Sequence, residues 1–186
     1  MNIEMKDICF SYDSHEIIHN FSCQLHEGVN CLLGPSGIGK TTILYILMGL
    51  LIPTSGEIIG RPNTMSVLFQ EDRLLDRMNA IDNVQVTVPW MESQKIKKIL
   101  SEFLIDQPGP VGVFSGGMKR RVALVRALIT PSELLILDEP FQGLDAETRI
   151  HVIEKMKPFL LNRITVMVTH ERSDTDIFGA HIIKLS

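Results

Sequence analysis

Gly34-Pro35-Ser36-Gly37-Ile38-Gly39-Lys40-Thr41-Thr42 is the stretch from which the fold can be read. It fits the spacing GxxxxGK[ST]. A short, mainly apolar run, Val29 to Leu33, leads into it, and Thr41 to Leu50 beyond it is long and apolar enough to be a buried helix. Strand, glycine loop and helix in that order form the context in which this spacing cradles phosphate. The glycines let the backbone curl so that successive N–H groups point into one concavity, and the helix N-terminus adds partial positive charge there. Lys40 is then placed to reach β- and γ-phosphates, and the Thr41 hydroxyl to ligate Mg²⁺.

A second element fits the same site. Leu134 to Leu137 is a solid apolar strand ending in Asp138 and Glu139. Ligand groups of open parallel sheets gather at the carboxyl ends of strands, the edge from which the glycine loop also springs. Neighbouring side chains on a strand diverge, so the two acids take different tasks. Asp138 is expected to hold Mg²⁺ through its water shell, and Glu139 to polarise a water attacking the γ-phosphate. A third element, Phe114 to Leu128, opens with Ser115, Gly116 and Gly117. A serine cap and two glycines expose a helix N-terminus, which makes a second anion-binding end. If both ends cannot reach one nucleotide within a chain, two chains related by a two-fold can share two nucleotides.

Further out, Ile3, Met5, Ile8 and Phe10 partly alternate with polar residues and Phe21, Cys23 and Leu25 alternate cleanly, which predicts β structure at the amino terminus. Ser66 to Phe69 reads as an interior strand ending at Gln70. Ile96, Ile99, Leu100, Phe103 and Leu104 keep helical spacing, and the breaker Gln107-Pro108-Gly109-Pro110 follows. Ser115 is expected to cap a helix to about residue 129, and Asp145 one to about Leu160; Ile164 to Val168 and His181 to Leu185 read as strands. The fold expected is α/β over residues 1–186 as a single domain. It combines a phosphate-loop NTPase core with a mostly parallel sheet, an amino-terminal antiparallel β subdomain and an inserted helical subdomain at 72–128, the core and β part being 1–71 and 129–186.

Composition narrows the function. The 186 residues are 45% hydrophobic and 22% charged, ordinary globular values. Lys+Arg 18 against Asp+Glu 22 leaves a net charge of −4, which disfavours a non-specific grip on nucleic acid or anionic lipid. The amino terminus lacks the order of a signal peptide. The longest apolar run, Ile43 to Ile52, is ten residues, short of the roughly 20 that cross a bilayer, so a soluble chain is expected. Cys9, Cys23 and Cys31 read as buried thiols of a reducing compartment. The basic cluster Lys119, Arg120, Arg121 and Arg126 reads as a solvated or partner-facing helix face. His15, His19, His26, His151 and His181 show no metal-site spacing.

In its motifs and their order, essentially the whole chain resembles the nucleotide-binding domain of an ATP-binding cassette (ABC) transporter. On that resemblance Gly34 to Thr42 is the Walker A motif and Asp138-Glu139 the Walker B pair. Tyr12 falls where the family's aromatic stacks on adenine. Gln70 matches the Q-loop glutamine, which senses Mg²⁺ and the attacking water. Ser115 to Met118 matches the signature usually written LSGGQ, with Phe114 and Met118 in place of its usual Leu and Gln. Gly143-Leu144-Asp145 matches the D-loop, and His170 the switch histidine that contacts the γ-phosphate. The resemblance implies a Mg²⁺-dependent ATPase with Lys40, Gln70, Glu139 and His170 as its catalytic groups and Thr41, Gln70 and Asp138 around the metal. It also implies a head-to-tail dimer with a second copy around ATP, separate transmembrane permease subunits, a solute-binding protein, no nucleic acid, and a place on the cytoplasmic face of the cell membrane. Residues 70–83 resemble importer ATPases of the nitrate, sulfonate and taurine type, where this segment docks a helix of the membrane subunit. The competing expectation is a soluble ABC ATPase of DNA repair or translation; the long coiled coils, tandem cassettes or basic arms typical of those chains are not seen in this sequence.

Overall fold

In the computed structural model, residues 2–13, 15–169 and 171–185 are described. Its strands are of two kinds. β1 (Ile3–Tyr12) largely alternates buried and half-buried positions, β2 (His15–Leu25) is mostly exposed apart from Ile18 and Leu25, and with β4 (Ser55–Ile59) they form a three-stranded antiparallel sheet in the order β2-β1-β4. β3 (Gly28–Leu33), β5 (Met65–Leu68), β6 (Leu134–Asp138), β7 (Ile164–Val168) and β8 (His181–Lys184) form a parallel sheet in the order β5-β6-β7-β3-β8. β6 and β7 are buried at every position, as strands covered on both faces must be.

Alternation along β6 divides the core. Leu134 and Ile136 turn to one face, where they join Val166 and Val168, Ile43, Ile46 and Leu47 of α1 (Lys40–Met48), and Ile3, Met5 and Ile8 of the antiparallel sheet. Leu135 and Leu137 turn to the other face, beneath α4 (Gly116–Ile129) and α5 (Ala146–Met156). Val84 of α2 (Ala80–Gln85) and Ile96, Leu100 and Phe103 in and after α3 (Ser93–Glu102) extend that second cluster. Phe103 is fully buried, a burial worth about 2–3 kcal/mol. The mixed α/β architecture with one parallel and one antiparallel sheet is therefore the one expected.

Several elements depart from expectation. β4, α2 and α6 (Arg172–Phe178) carry too few apolar residues, or are too short, to announce themselves by periodicity. The helix capped by Asp145 tightens into a 3₁₀ turn at Lys157–Leu160, because Pro158 lacks the N–H that would continue it. Of the three thiols only Cys31 is buried. Cys9 and Cys23 lie on strands of the antiparallel sheet and are half-covered, so the expectation of three buried thiols is corrected.

Candidate active site

Three neighbouring strands, β6, β7 and β3, end at one edge of the parallel sheet, and each ending contributes to a single cleft. The loop after β3 has little freedom. A Cβ at Gly34 would stand 2.9 Å from Ile38 Cγ2 and 3.1 Å from the Leu185 carbonyl oxygen. Gly39 adopts φ 105° and seats against Ile18, whose Cδ1 a Cβ would meet at 2.5 Å. From Gly39 the chain enters α1 with no side-chain cap and no acidic residue in the first turn, so the helix start presents its N–H groups and partial positive charge uncompensated. Lys40, 7% exposed, donates from Nζ to the carbonyls of Gly34 and Pro35, both at 2.8 Å. Among the described residues it forms no ion pair with a carboxylate. A buried ammonium held only by carbonyls favours an anion beside it.

The carboxylates sit opposite this cradle. Asp138 ends β6 and is 5% exposed. Glu139 follows in left-handed backbone at φ 50°, a conformation that costs a residue with a side chain about 1–2 kcal/mol. Its N–H donates to the Val168 carbonyl of β7 at 2.9 Å, and its carbonyl accepts from the Gln142 N–H at 3.1 Å. The strained turn is thus tied to the neighbouring strand.

The resulting cleft, about 290 Å³, is lined by Tyr12, Ile17, loop residues including Ser36 and Gly37, the first turn of α1 with Lys40, Thr41 and Thr42, and Gln70, Asp138 and Glu139. Tyr12 is 49% exposed and meets Phe10 edge-on at 4.8 Å, leaving it able to offer an aromatic surface to a flat ligand. Among the described residues no three His, Cys, Asp or Glu side chains cluster to hold a cation unaided. A divalent ion among Thr41, Gln70 and Asp138 would take its remaining ligands from the bound molecule and from water, the usual way in which Mg²⁺ accompanies phosphates.

Other expected residues lie elsewhere. Ser115 caps α4, its hydroxyl accepting from the Met118 N–H at 3.3 Å; Ser115 and Gly116 are exposed, and neither lines the cleft. Gly117 packs against the turn at 143–144, where a Cβ would come within 3.2 Å of the Gly143 carbonyl oxygen. Asp145 caps α5 by accepting from the Thr148 N–H at 2.9 Å, and that bond draws its carboxyl below the usual carboxylate range. His170 lies outside the described residues. Next to it, the Thr169 hydroxyl donates to the fully buried Asp174 at 2.5 Å, and Arg149 pairs with the same carboxylate.

The reading of Lys119, Arg120, Arg121 and Arg126 as a solvated or partner-facing face is overturned for its arginines. Arg120 is 3% exposed; it donates to the carbonyls of Phe69, Gln70, Asp138 and Glu139 and pairs with Asp72. Arg126 donates to the carbonyls of Asp72 and Arg73 at 2.9 and 3.0 Å, and Arg121 to that of Leu104. Burial lowers the pKa of Arg121 and Arg126, against a smaller opposing pull from Asp145 and Asp72 respectively. A signal for Arg120 was present: the positions three, four, seven and eight residues on (Ala123, Leu124, Ala127 and Leu128) are all buried, so helical spacing sets it on the core face.

The ABC transporter family model matches residues 18–142. An aliphatic sulfonates import ATP-binding protein of Corynebacterium glutamicum is 37% identical, the match covering 94% of this chain and 76% of that protein. A taurine import ATP-binding protein of Ruegeria pomeroyi is 34% identical over 100% of this chain and 76% of its own length. The chain spans only 26% of the much longer ABC transporter G family member 20 of Dictyostelium discoideum, to which it is 34% identical. Among solved structures, the dimeric post-hydrolysis state of the ATP-binding cassette MJ0796 bound to ADP and Pi superposes with a TM-score of 0.86 at 22% identity, covering 99% of this chain and 94% of that one. Among the described residues no helix is long and apolar enough to cross a membrane.

Proposed function

The chain belongs to the ABC transporter family, and from that premise we propose that it binds and hydrolyses Mg²⁺-ATP to drive solute import through separate membrane-spanning subunits. The observation that carries this reading is the gathering of Lys40, Thr41, Gln70, Asp138 and Glu139 on one cleft beside an uncapped helix start. Backbone N–H groups of 34–42 and Lys40 hold the phosphates, and Tyr12 stacks on the base. Thr41, Asp138 and Gln70 surround the Mg²⁺ that arrives with the nucleotide. Glu139 polarises water for in-line attack on the γ-phosphate, assisted by Gln70 and by His170. Catalysis of this kind is positioning plus charge stabilisation, so loss of the Lys40 ammonium is expected to cost at least ~3 kcal/mol in the transition state.

Ser115 and Gly116 supply the second anion-binding end. They are exposed and away from the chain's own cleft, which suits donation to the γ-phosphate held by a second copy packed head to tail, with Gly117 and the 143–145 turn as one continuous contact surface. Closure of that dimer on ATP pulls on permease subunits at the cytoplasmic face of the membrane, and hydrolysis reopens it. The likeness to sulfonate and taurine import ATP-binding proteins supports an import system, and a permease and a solute-binding protein are the partners proposed. Glu139→Gln tests the assignment. The variant is expected to retain ATP, to run as a dimer in its presence on size-exclusion chromatography, and to hydrolyse little; turnover at the wild-type rate refutes Glu139 as the base.

A further inference from the structure

Arg120 does not line the cleft, yet it touches both walls of it through the backbone. Its Nη1 donates to the carbonyls of Phe69 at 2.7 Å and Gln70 at 3.3 Å and to the Asp72 carboxylate at 3.0 Å. Its Nη2 donates to the carbonyl of Asp138 and, at 2.9 Å, to that of Glu139. One buried guanidinium therefore serves as common partner to the segment bearing Gln70 and the turn bearing Glu139. Both need such support. The Glu139 turn stands in left-handed backbone, which persists only where the surroundings hold it. Segment 69–73 follows the end of β5, and four of its carbonyls lean on α4: those of Phe69 and Gln70 on Arg120, those of Asp72 and Arg73 on Arg126.

We infer that Arg120 is a positioning residue that locks Gln70 and Glu139 to one another, so that the spacing of the two groups handling the attacking water depends on segment 69–73 being in place. The inference rests on the roles proposed above for Gln70 and Glu139. A planar fork with donors on two edges is what the task requires; the single ammonium of lysine cannot reach acceptors on both sides at once.

The test compares wild type, Arg120→Lys and Asp72→Ala for Mg²⁺-ATP affinity, kcat and KM, thermal stability, and hydrogen exchange at the Glu139 and Gln142 amides. Arg120→Lys is expected to bind ATP within about threefold of wild type and to lose ten- to hundredfold in kcat at nearly constant KM, with faster exchange at both amides. Asp72→Ala removes the carboxylate that pairs with the Nη1 side of the guanidinium and also faces Arg126, and is expected to speed exchange at Glu139 and lower kcat by about threefold or more. It also carries the test if Arg120→Lys does not fold. A kcat near wild type in either variant, affinity falling as far as kcat, or unchanged exchange at Glu139 overturns the inference. If wild type hydrolyses no ATP with any membrane subunit supplied, the proposed function fails, while the exchange measurement still decides whether Arg120 joins the two segments.

Discussion

Replacing Gly39 with alanine, beside the control Gly37→Ala, isolates what the phosphate cradle demands of its backbone. Both glycines have positive φ, 105° and 80°, so both substitutions force an L-residue into a disfavoured region at about 1–3 kcal/mol. They differ in space. A Cβ at Gly37 has nothing within 4 Å, whereas one at Gly39 lies 2.5 Å from Ile18 Cδ1 and 3.1 Å from Ile17 Cγ2. Ile18 is 3% exposed and packed in the core shared by α1 and the antiparallel sheet, so it cannot simply swing aside. Overpacking of that kind adds about 1–3 kcal/mol. The excess cost of Gly39→Ala over Gly37→Ala is therefore roughly 1–3 kcal/mol, which appears in one of two ways. If the fold absorbs it, the melting temperature of the nucleotide-free protein drops about 2–4 °C further per kcal/mol. If the loop relaxes instead, the competent cradle is depopulated and ATP affinity falls a further ~5- to 150-fold. Titration with a fluorescent ATP analogue beside a thermal melt reads both. Equal effects from the two substitutions on both measurements would refute the steric argument.

Two further outcomes are expected. The Asp145 carboxyl is held below its ordinary range mainly by the Thr148 N–H, so its contribution to stability is present above the unfolded carboxylate pKa near 3.9 and is lost as pH falls through the lower folded value; the melting-temperature gap between wild type and Asp145→Asn should favour wild type at neutral pH and close on acidification, and a gap independent of pH contradicts this. Burial pushes the Cys31 thiol up to about 12, with Asp174 adding to it, and Cys23 up to about 11. Neither should react quickly with Ellman's reagent at pH 8 in the native protein, although all three cysteines titrate after denaturation; rapid native titration of three thiols counts against the packing around β2 and β3.

Much of the site could be read from single segments because each part carries its own physics. A strand, three glycines and Lys40 specify a cradle whatever surrounds them, and an apolar run ending in two acids specifies a strand end. The helix of Gly116–Ile129 and its Ser115 cap were legible for the same local reason. What escaped the sequence depends on distant partners. β4 has Ser, Gly and Glu at three of five positions and becomes a strand only by pairing with β1. The arginines of α4 look solvated as a charge run, because the carbonyls that accept from Arg120 belong to residues 51 and 50 positions before it and 18 and 19 after it. The strain at Glu139 is likewise imposed by β7 and α4 and leaves no mark in local residue choice.

The place of β3 bears on how the molecule is made. Its two neighbours in the sheet are β7 and β8, which are synthesised long after it. While some 130 intervening residues are being synthesised, the strand that bears the cradle has neither of its flanking partners, and its apolar run must be shielded by the β1–β2 hairpin or by a chaperone. Nucleotide capture then waits on β7 and β8: a nascent chain stalled before Ile164 should not be retained on ATP-agarose, and one extended beyond β8 and free to fold should be.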